Sequence, residues 1–325
     1  MIKTCLLTAA ALTAFGLALP PAYAQTATRA WVSGKGADAA GCGSPASPCR
    51  SFQYVHDNII AAAGEIDVLD PAGYGPITIT KALSIVNDGV GTAGVQQGTA
   101  GLNAITINAG TSDAVTLRGL NIDGLGIGAN GVVFNSGASM TVVNCVIRHF
   151  AYTGSQSTGN GIYISPTTSS SRFVISGATV SDNGYAGILF YQTAATNAFV
   201  VIDHTLATAN KYGIVLGQNA GGSTAKLTIS NSVSSNNDDF GISIGNGGGT
   251  MAVTLDATEM NNNNNGIVVS GTPLVLMGRS VIASNLTGVT NNTSPNSFYT
   301  YGDNRINGNN PDISGTALAT NLKPQ

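Results

Sequence analysis

Charge is scarce in this sequence: Asp, Glu, Lys and Arg make up 9% of its 325 residues, and the formal net charge is −3. So few basic residues cannot neutralise a run of phosphates, so nucleic acid is not an expected partner. There is one tryptophan, and beyond the first two dozen residues no long apolar run, so no membrane span is expected. Helical periodicity is missing as well. Low charge can mean disorder, but here it accompanies 43% apolar residues, which disordered chains lack. The chain therefore buries a core and covers its surface with Asn, Ser, Thr and Gly, the last present 42 times.

The opening residues, MIKTCLLTAAALTAFGLALPPAYAQ, hold one lysine, an uncharged apolar stretch and then Ala22-Tyr23-Ala24. These are the parts of an export signal, with cleavage expected after Ala24. The apolar centre is too short and wrongly flanked for a stable membrane span. Processing removes Lys3 and Cys5, leaving 12 basic and 16 acidic residues and a formal charge of −4. The mature chain is expected in the periplasm, outside the cell or at its surface. Cys42 and Cys49 bracket CGSPASPC, where Pro45 and Pro48 preorganise a short loop. In an oxidising compartment this reads as a disulfide, against the alternative of two free thiols. A CxxC-type metal site would need two more ligands nearby, and they are absent. Cys145, in TVVNCVI, reads as a buried thiol and not a nucleophile.

What the sequence does have is a repeat. A glycine followed by β-branched or apolar residues recurs as Asn130-GVVF, Asn160-GIYI, Ala186-GILF, Tyr212-GIVL, Phe240-GISI, Asn265-GIVV and Thr287-GVT. The intervals between these glycines run from 22 to 30 residues. Between them sits a second element: MTVVNCVI, RFVISGATV, FVVIDHTL, KLTISNSV, VTLDATEM and PLVLMGRSVI, with VTLRGLNI an earlier copy. Alternation over four to six residues is a strand signal, and the mid-run Asn, Gly or Asp is a bend signal. One repeat thus makes three short strands with corners between them, the length of one turn of a three-sided coil. Stacking such coils about 4.8 Å apart gives parallel sheets. Asparagine tolerates left-handed corners, and stacked Asn side chains can bond from coil to coil. The run NNNNN at 261–265 is on this reading a crowded corner. Leucine-rich repeats share the period but need a leucine spacing that is missing.

The pattern resembles the pectin-lyase-like right-handed parallel β-helix proteins over nearly the whole mature chain. The expected fold is all-β: a right-handed parallel β-helix, a three-sided solenoid of eight to nine coils, with a short N-terminal capping helix. Residues 25–63 are expected as leader, disulfide loop and helix, 64–296 as coils, and 297–325 as a C-terminal cap and tail. In SFQYVHDNIIAAA, Phe52, Val55, Ile59 and Ala62 share a helical stripe over Ser51–Ala63, with Ser51 as N-cap. The leader WVSGKGADAAGCGSPASPCRSFQ resembles the openings of exported β-helix proteins, and SFYTYGDNRINGNNPDI resembles the last coil of bacterial ones. No barrel-length segment follows, so an autotransporter anchor is not expected.

The resemblance implies that catalytic groups would project outward from one sheet and its flanking corners. Alternation places Val133, Tyr163, Leu189, Val215, Ser243 and Val268 outward after the repeat glycines, and none is an acid, base or metal ligand. Asp238-Asp239 resembles the paired aspartates of polygalacturonases. However, Asn121-Ile122-Asp123 lies several coils too early, no glycine–histidine element follows, and Arg305-Ile306-Asn307 lacks the lysine. Lys211 and Asp239, each two residues before a repeat glycine, are expected as a stacked surface ion pair. Asp182, Asp203, Asp238, Asp239 and Asp256 are spread over several coils, leaving room for at most one weak surface Ca²⁺ site. His204 aligns with Leu120, Cys145, Ala178, Ser232 and Ala257 and reads as an inward, hydrogen-bonded histidine.

His149 sits in RHFAYTGSQSTGN, the longest corner loop, beside Tyr152. The same edge carries Tyr185, Lys211, Tyr212, Asp239 and Phe240 in successive repeats. Aromatics interleaved with amides and hydroxyls suit a glycan, although rings that merely shield the corners would look the same. These residues are the expected ligand-binding set, with no catalytic residue and no cofactor beyond that weak Ca²⁺. The expected function is an exported, non-catalytic glycan-binding protein. The alternatives are a polysaccharide lyase or hydrolase, and a scaffold binding another surface protein through Val133, Tyr163, Leu189, Val215 and Val268. Amino-terminal sequencing of the exported protein should read Gln25-Thr26-Ala27.

Overall fold

The computed structural model describes residues 25–320, so the export-signal reading of Met1–Ala24 lies outside the described residues. Each repeat lays down three strands. The repeat glycine opens the first, as in Ala186–Gln192; a second follows, as in Asn197–Asp203; a short third closes the turn, as in Leu206–Thr208. Equivalent strands pair in parallel, so Ile162, Ile188, Ile214 and Ile242 are direct neighbours on the first face. Val200, Leu227 and Val253 are neighbours on the second face, and Val180, Ala207 and Ser234 on the third. The third strands form a sheet of 10. The first and second faces form one of 19, because Tyr212–Ser230 and Phe240–Asp256 run unbroken around the corner between them. Ten strands exceed the eight to nine coils expected because Ala72–Gly73 and Arg305–Ile306, from outside the clearest repeats, also pair.

Inside, like stacks on like. Ile105, Val132, Ile162, Ile188, Ile214, Ile242 and Ile267 form one column, each at 0% exposure. Burying each such side chain contributes roughly 1.5–3 kcal/mol. β-Branched residues suit the pleated surface, which is why the repeats are rich in them.

The corner between third and first faces carries a second stack, and it is polar. Asp182, Ala209, Asn236, Asn262 and Ser284 there have left-handed backbones, with φ between 54° and 59°. Each is followed by an asparagine: 183, 210, 237, 263 and 285. Asn183 Oδ1 accepts the Phe150 N–H at 3.3 Å, and from Asn210 on each Oδ1 accepts both the backbone N–H and the Nδ2 of the asparagine one coil earlier. Asn183 reaches Asn210 Oδ1 at 3.1 and 2.9 Å, and Asn263 reaches Asn285 Oδ1 at 2.9 and 3.2 Å. Asn210 bonds Asn237, and Asn237 bonds Asn263, in the same way. After Asn309 the ladder ends on a carboxylate, as Asp312 accepts its N–H and Nδ2 at 2.9 and 3.0 Å. All five asparagines from 183 to 285 are 5% exposed or less. In the run at 261–265, Asn262 is the left-handed residue, Asn263 the ladder member and Asn265 the start of the next strand.

The repeat glycines serve this ladder. None of Gly187, Gly213, Gly241 and Gly266 has a positive φ. Space is what they provide: a Cβ on Gly241 would stand 2.6 Å from the Gly266 carbonyl oxygen and 2.8 Å from Asn263 Nδ2. On Gly266 it would meet Gly288 O at 2.6 Å and Asn285 Nδ2 at 2.9 Å. Each repeat glycine and the ladder asparagine of the next coil are thus two halves of one contact.

At the start, Ala27–Val32 pairs with Ile60–Val68 and extends the second face. The Cys42–Cys49 disulfide is present, and Cys145 is free and buried, as expected. The capping helix is shorter than the expected Ser51–Ala63. It spans Phe52–Asn58, with Ser51 Oγ accepting from Tyr54 N as N-cap. Phe52 and Val55 are buried, but Ala62 lies exposed on the strand Ile60–Val68. Pairing with the leader and with Leu83–Val86 overrides the helical preference of three alanines. Asp70 pins the leader by accepting from Gly34 N at 2.6 Å, Tyr74 Oη at 2.7 Å and Ser33 Oγ at 2.8 Å. Those bonds hold its carboxyl below the usual range. At the other end, the segment expected as a cap supplies one more coil, in which Phe298–Thr300, Arg305–Ile306 and Ile313–Gly315 pair with the coil before. Among the described residues no helix is long and apolar enough to cross a membrane.

Changing Asn237 to Ala strips the acceptor from Asn210 N–H, which is left buried and unpaired; urea denaturation should show a loss of roughly 2–4 kcal/mol. Asp70→Asn tests the leader clamp. A depressed carboxyl contributes stability that is present above its unfolded pKa, 3.8, and lost as pH falls through the lower folded value. Wild-type melting temperature should therefore fall below pH 4 more steeply than that of Asp70→Asn.

Candidate functional site

The first face presents the outward column expected from alternation. Thr106, Val133, Tyr163, Leu189, Val215, Ser243, Val268 and Thr290 are consecutive neighbours along the coil axis. Val133 and Leu189 are nonetheless 5% and 1% exposed. The column is an apolar and hydroxyl floor without a carboxylate or a basic nitrogen.

Beside it runs the aromatic edge. The structure brings Tyr152, Tyr185, Tyr212 and Phe240 into one row, each on the next coil. Tyr152 and Tyr185 stack with centroids 5.2 Å apart and planes 18° from parallel. Tyr185 meets Tyr212 edge-on at 4.9 Å, and Tyr212 stacks on Phe240 at 5.1 Å. Ring faces are largely taken up by other rings, so the edge offers ring rims, hydroxyls and the exposed Tyr152. Burial pushes the Tyr185 hydroxyl above its usual pKa.

Lys211 departs from its expected pairing. Asp239 N donates to Lys211 O at 2.9 Å, so the two residues are on adjacent coils as aligned. The ammonium, however, lies 5.2 Å from the Tyr212 centroid and 5.7 Å from that of Tyr152. Two ring faces compete successfully with one exposed carboxylate, since a surface ion pair contributes little. His149 has φ +62° and sits at the same corner, but its Nδ1 is 3.1 Å from Asp123 Oδ1, beside Arg148 Nε at 3.1 Å from Oδ2. Burial pushes the Asp123 carboxyl up, yet the Leu125 amide, His149 and Arg148 outweigh it, and the group is held low.

The bend between second and third faces was not singled out from the sequence as a site. Its left-handed row reads Gly119, Asn144, Gly177, His204, Asn231, Ala257, Arg279 and Gly302. His204 therefore is not the inward residue expected. Thr205 stands in the inward row with Cys145, Ala178, Ser232 and Thr258, and His204, one place earlier, is 68% exposed. A slip of one residue turns a side chain from core to solvent. Asp203 accepts from Ser230 Oγ at 2.7 Å and Asn231 Nδ2 at 3.0 Å and lies 2.6 Å from His204 Nδ1. The His204 bond first, then those from Asn231 and Ser230, bring its carboxyl down to about 2.

Two coils on, Arg279 Nε donates to Asp256 Oδ1 at 2.7 Å, and a second guanidinium nitrogen bonds Oδ2. Arg279 N donates to Asp303 Oδ1 at 3.0 Å. Together with Thr228, Asn231, Thr254 and Tyr301 they line a groove of about 780 Å³. The available signal was a His and an Arg at a bend position that Gly or Asn fills in other coils. Among the described residues no group of three or more His, Cys, Asp or Glu side chains converges to hold a metal. Cys145 is 1% exposed, and burial pushes its thiol up to about 11, which suits a packing role.

A family described as "Right handed beta helix region" matches residues 103–249. No curated protein matches the sequence. Several solved structures are similar, two of them as follows. The A-module of mannuronan C-5 epimerase AlgE6 from Azotobacter vinelandii has a TM-score of 0.57 at 16% identity, over 77% of this chain and 70% of that one. Pectate lyase Pel9A has a TM-score of 0.57 at 15% identity, over 84% of this chain and 79% of that one. At these identities the likeness is one of fold. With parallel faces, left-handed corners and an asparagine ladder, this chain has the fold of a right-handed parallel β-helix.

Proposed function

We propose that the protein is an exported glycan-binding β-helix without catalytic activity, holding a polysaccharide along the aromatic edge and the floor beside it. The observation that carries this reading is the pairing of those two surfaces. Tyr152, Tyr185, Tyr212 and Phe240 line up over successive coils next to a column from Val133 to Val268 that holds no carboxylate or basic nitrogen. Sugars pack against aromatic rims and bond to fixed hydroxyls, and cleaving them takes a positioned acid, base or metal. Lys211, Asp239 and His149 at the margin would contact a neutral or mildly charged chain. Two similar solved structures are named as a mannuronan C-5 epimerase module and a pectate lyase, which supports a polysaccharide as the ligand class by analogy of fold.

A second reading, a polysaccharide lyase or hydrolase, draws on the adjacent Asp238 and Asp239 at the same corner, neither of them buried. The two readings part in one experiment on purified mature protein, a glycan array run beside reducing-sugar and unsaturated-product assays. Changing Tyr185 and Tyr212 together to Ala should weaken binding at least tenfold, about 1.4 kcal/mol, with degradation at background throughout. Cleavage by wild type that disappears in the Asp238→Asn, Asp239→Asn double variant would replace binding with catalysis.

A further inference from the structure

We propose that the groove at the bend between second and third faces binds a neutral saccharide, clasped between Tyr301 and the Asp256–Arg279 pair. This site lies on a different corner from the aromatic edge and does not depend on it.

The groove has a made floor. Asp203, Ser230, Asp256 and Gly278 are consecutive neighbours in one outward column of the second face. Where a side chain would continue that column, Gly278 has none. A Cβ there would stand 3.0 Å from a Tyr301 ring carbon and 3.4 Å from Asp303 Oδ1. The missing side chain is what lets the tyrosine ring and the aspartate lie across the coil. The resulting volume, about 780 Å³, lies within the roughly 300–1,000 Å³ range of small-ligand sites.

The lining fits hydroxyl groups. Thr228, Ser230 and Thr254 supply hydroxyls, Asn231 an amide, and Tyr301 a ring. Asp256 and Arg279 are locked in a two-point fork, so acceptor and donor atoms sit at fixed positions in one plane. A guanidinium has five N–H donors, so donors remain for a ligand after both bonds to Asp256. Arg279 also holds its place against its own backbone. Its φ is +52°, at a bend where Gly177 and Gly302 stand in other coils. A long side chain in that conformation is disfavoured, and such residues cluster at binding sites.

Charge selects the ligand class. Asp203, Asp256 and Asp303 face this strip with Arg279 and His204, so carboxylates outnumber the one permanent cation. A uronate would meet repulsion; a neutral sugar offers donors to the carboxylates and acceptors to the guanidinium.

The test is calorimetric titration of the purified protein with cellotetraose, laminaritetraose, xylotetraose, chitotetraose and tetragalacturonate. At least one neutral tetrasaccharide should bind, and tetragalacturonate at least tenfold more weakly. Tyr301→Ala and Arg279→Gly should each weaken that binding tenfold or more. Arg279→Gly should not lower the melting temperature, because glycine suits the bend, so a loss of binding there is not misfolding. The Tyr185→Ala, Tyr212→Ala double variant should leave this affinity within twofold. No binding by any neutral tetrasaccharide, tighter binding of tetragalacturonate, or affinity that survives both groove changes would overturn the proposal. A loss confined to the edge variant would also overturn it, placing the sugar on the other corner.

Discussion

The rest of the structure depends on the contact between a buried asparagine and the backbone of the coils it joins. In each coil from Asn210 to Asn285, one amide oxygen takes two donors from the coil before, while its own N–H and Nδ2 pass to the next. The bonds to Oδ1 all point the same way along the axis, so each polarises the next, while the same Nδ2 groups also donate back to a carbonyl of the coil before, as Asn210 does to Val180 O at 3.0 Å. Asp312, accepting two donors and passing none on, ends the series where the coils end. The spacing this imposes brings glycine carbonyls so close that no side chain fits at the repeat glycines. Apolar columns supply most of the stabilisation, but they tolerate many registers. The ladder tolerates one, since a shifted coil would leave amide groups buried and unpaired.

With register held internally, the outside is free to vary. The two left-handed corners of each coil have taken different chemistry. One carries rings that pack on each other and an ammonium that lies over them. The other carries aspartates paired to a histidine and an arginine at bends that need only a tolerant backbone. A rigid stack with variable corners lets one fold carry different surface chemistry without changing its core.

Most of the fold was legible in the sequence, because it is written in repeated signals. The glycine spacing, the alternation and the asparagines all report backbone geometry, and each recurs several times. Where the reading failed, one local rule met a neighbour it could not see. Ala61–Ala63 look helical until strand pairing on either side, at Ile60 and from Gly64 on, carries them into an extended segment. His204 was aligned one place late because Asp203-His204 and Asp256-Ala257 offered no mark of where the bend falls. The ammonium of Lys211 lies over the ring of its chain neighbour Tyr212 and over that of Tyr152, two coils back, which alignment with Asp239 alone does not show. The groove was invisible for a related reason. Tyr301 and Asp303 lie in the segment taken for a cap, and its floor is an absence, the side chain Gly278 lacks.

The account's central claim is that the asparagine corners, and not the apolar columns alone, lock coil to coil. Native-state hydrogen exchange reads this directly through the backbone N–H groups of Asn183, Asn210, Asn237, Asn263 and Asn285. Each is bonded to a side chain and not to a strand, so ordinary corners would exchange them quickly. The account predicts exchange only through global unfolding, as slow as Ile188 or Ile242 at the centre of the first face. Exchange of those asparagine amides at the rate of the exposed loop 153–158, with the strands still protected, would contradict it.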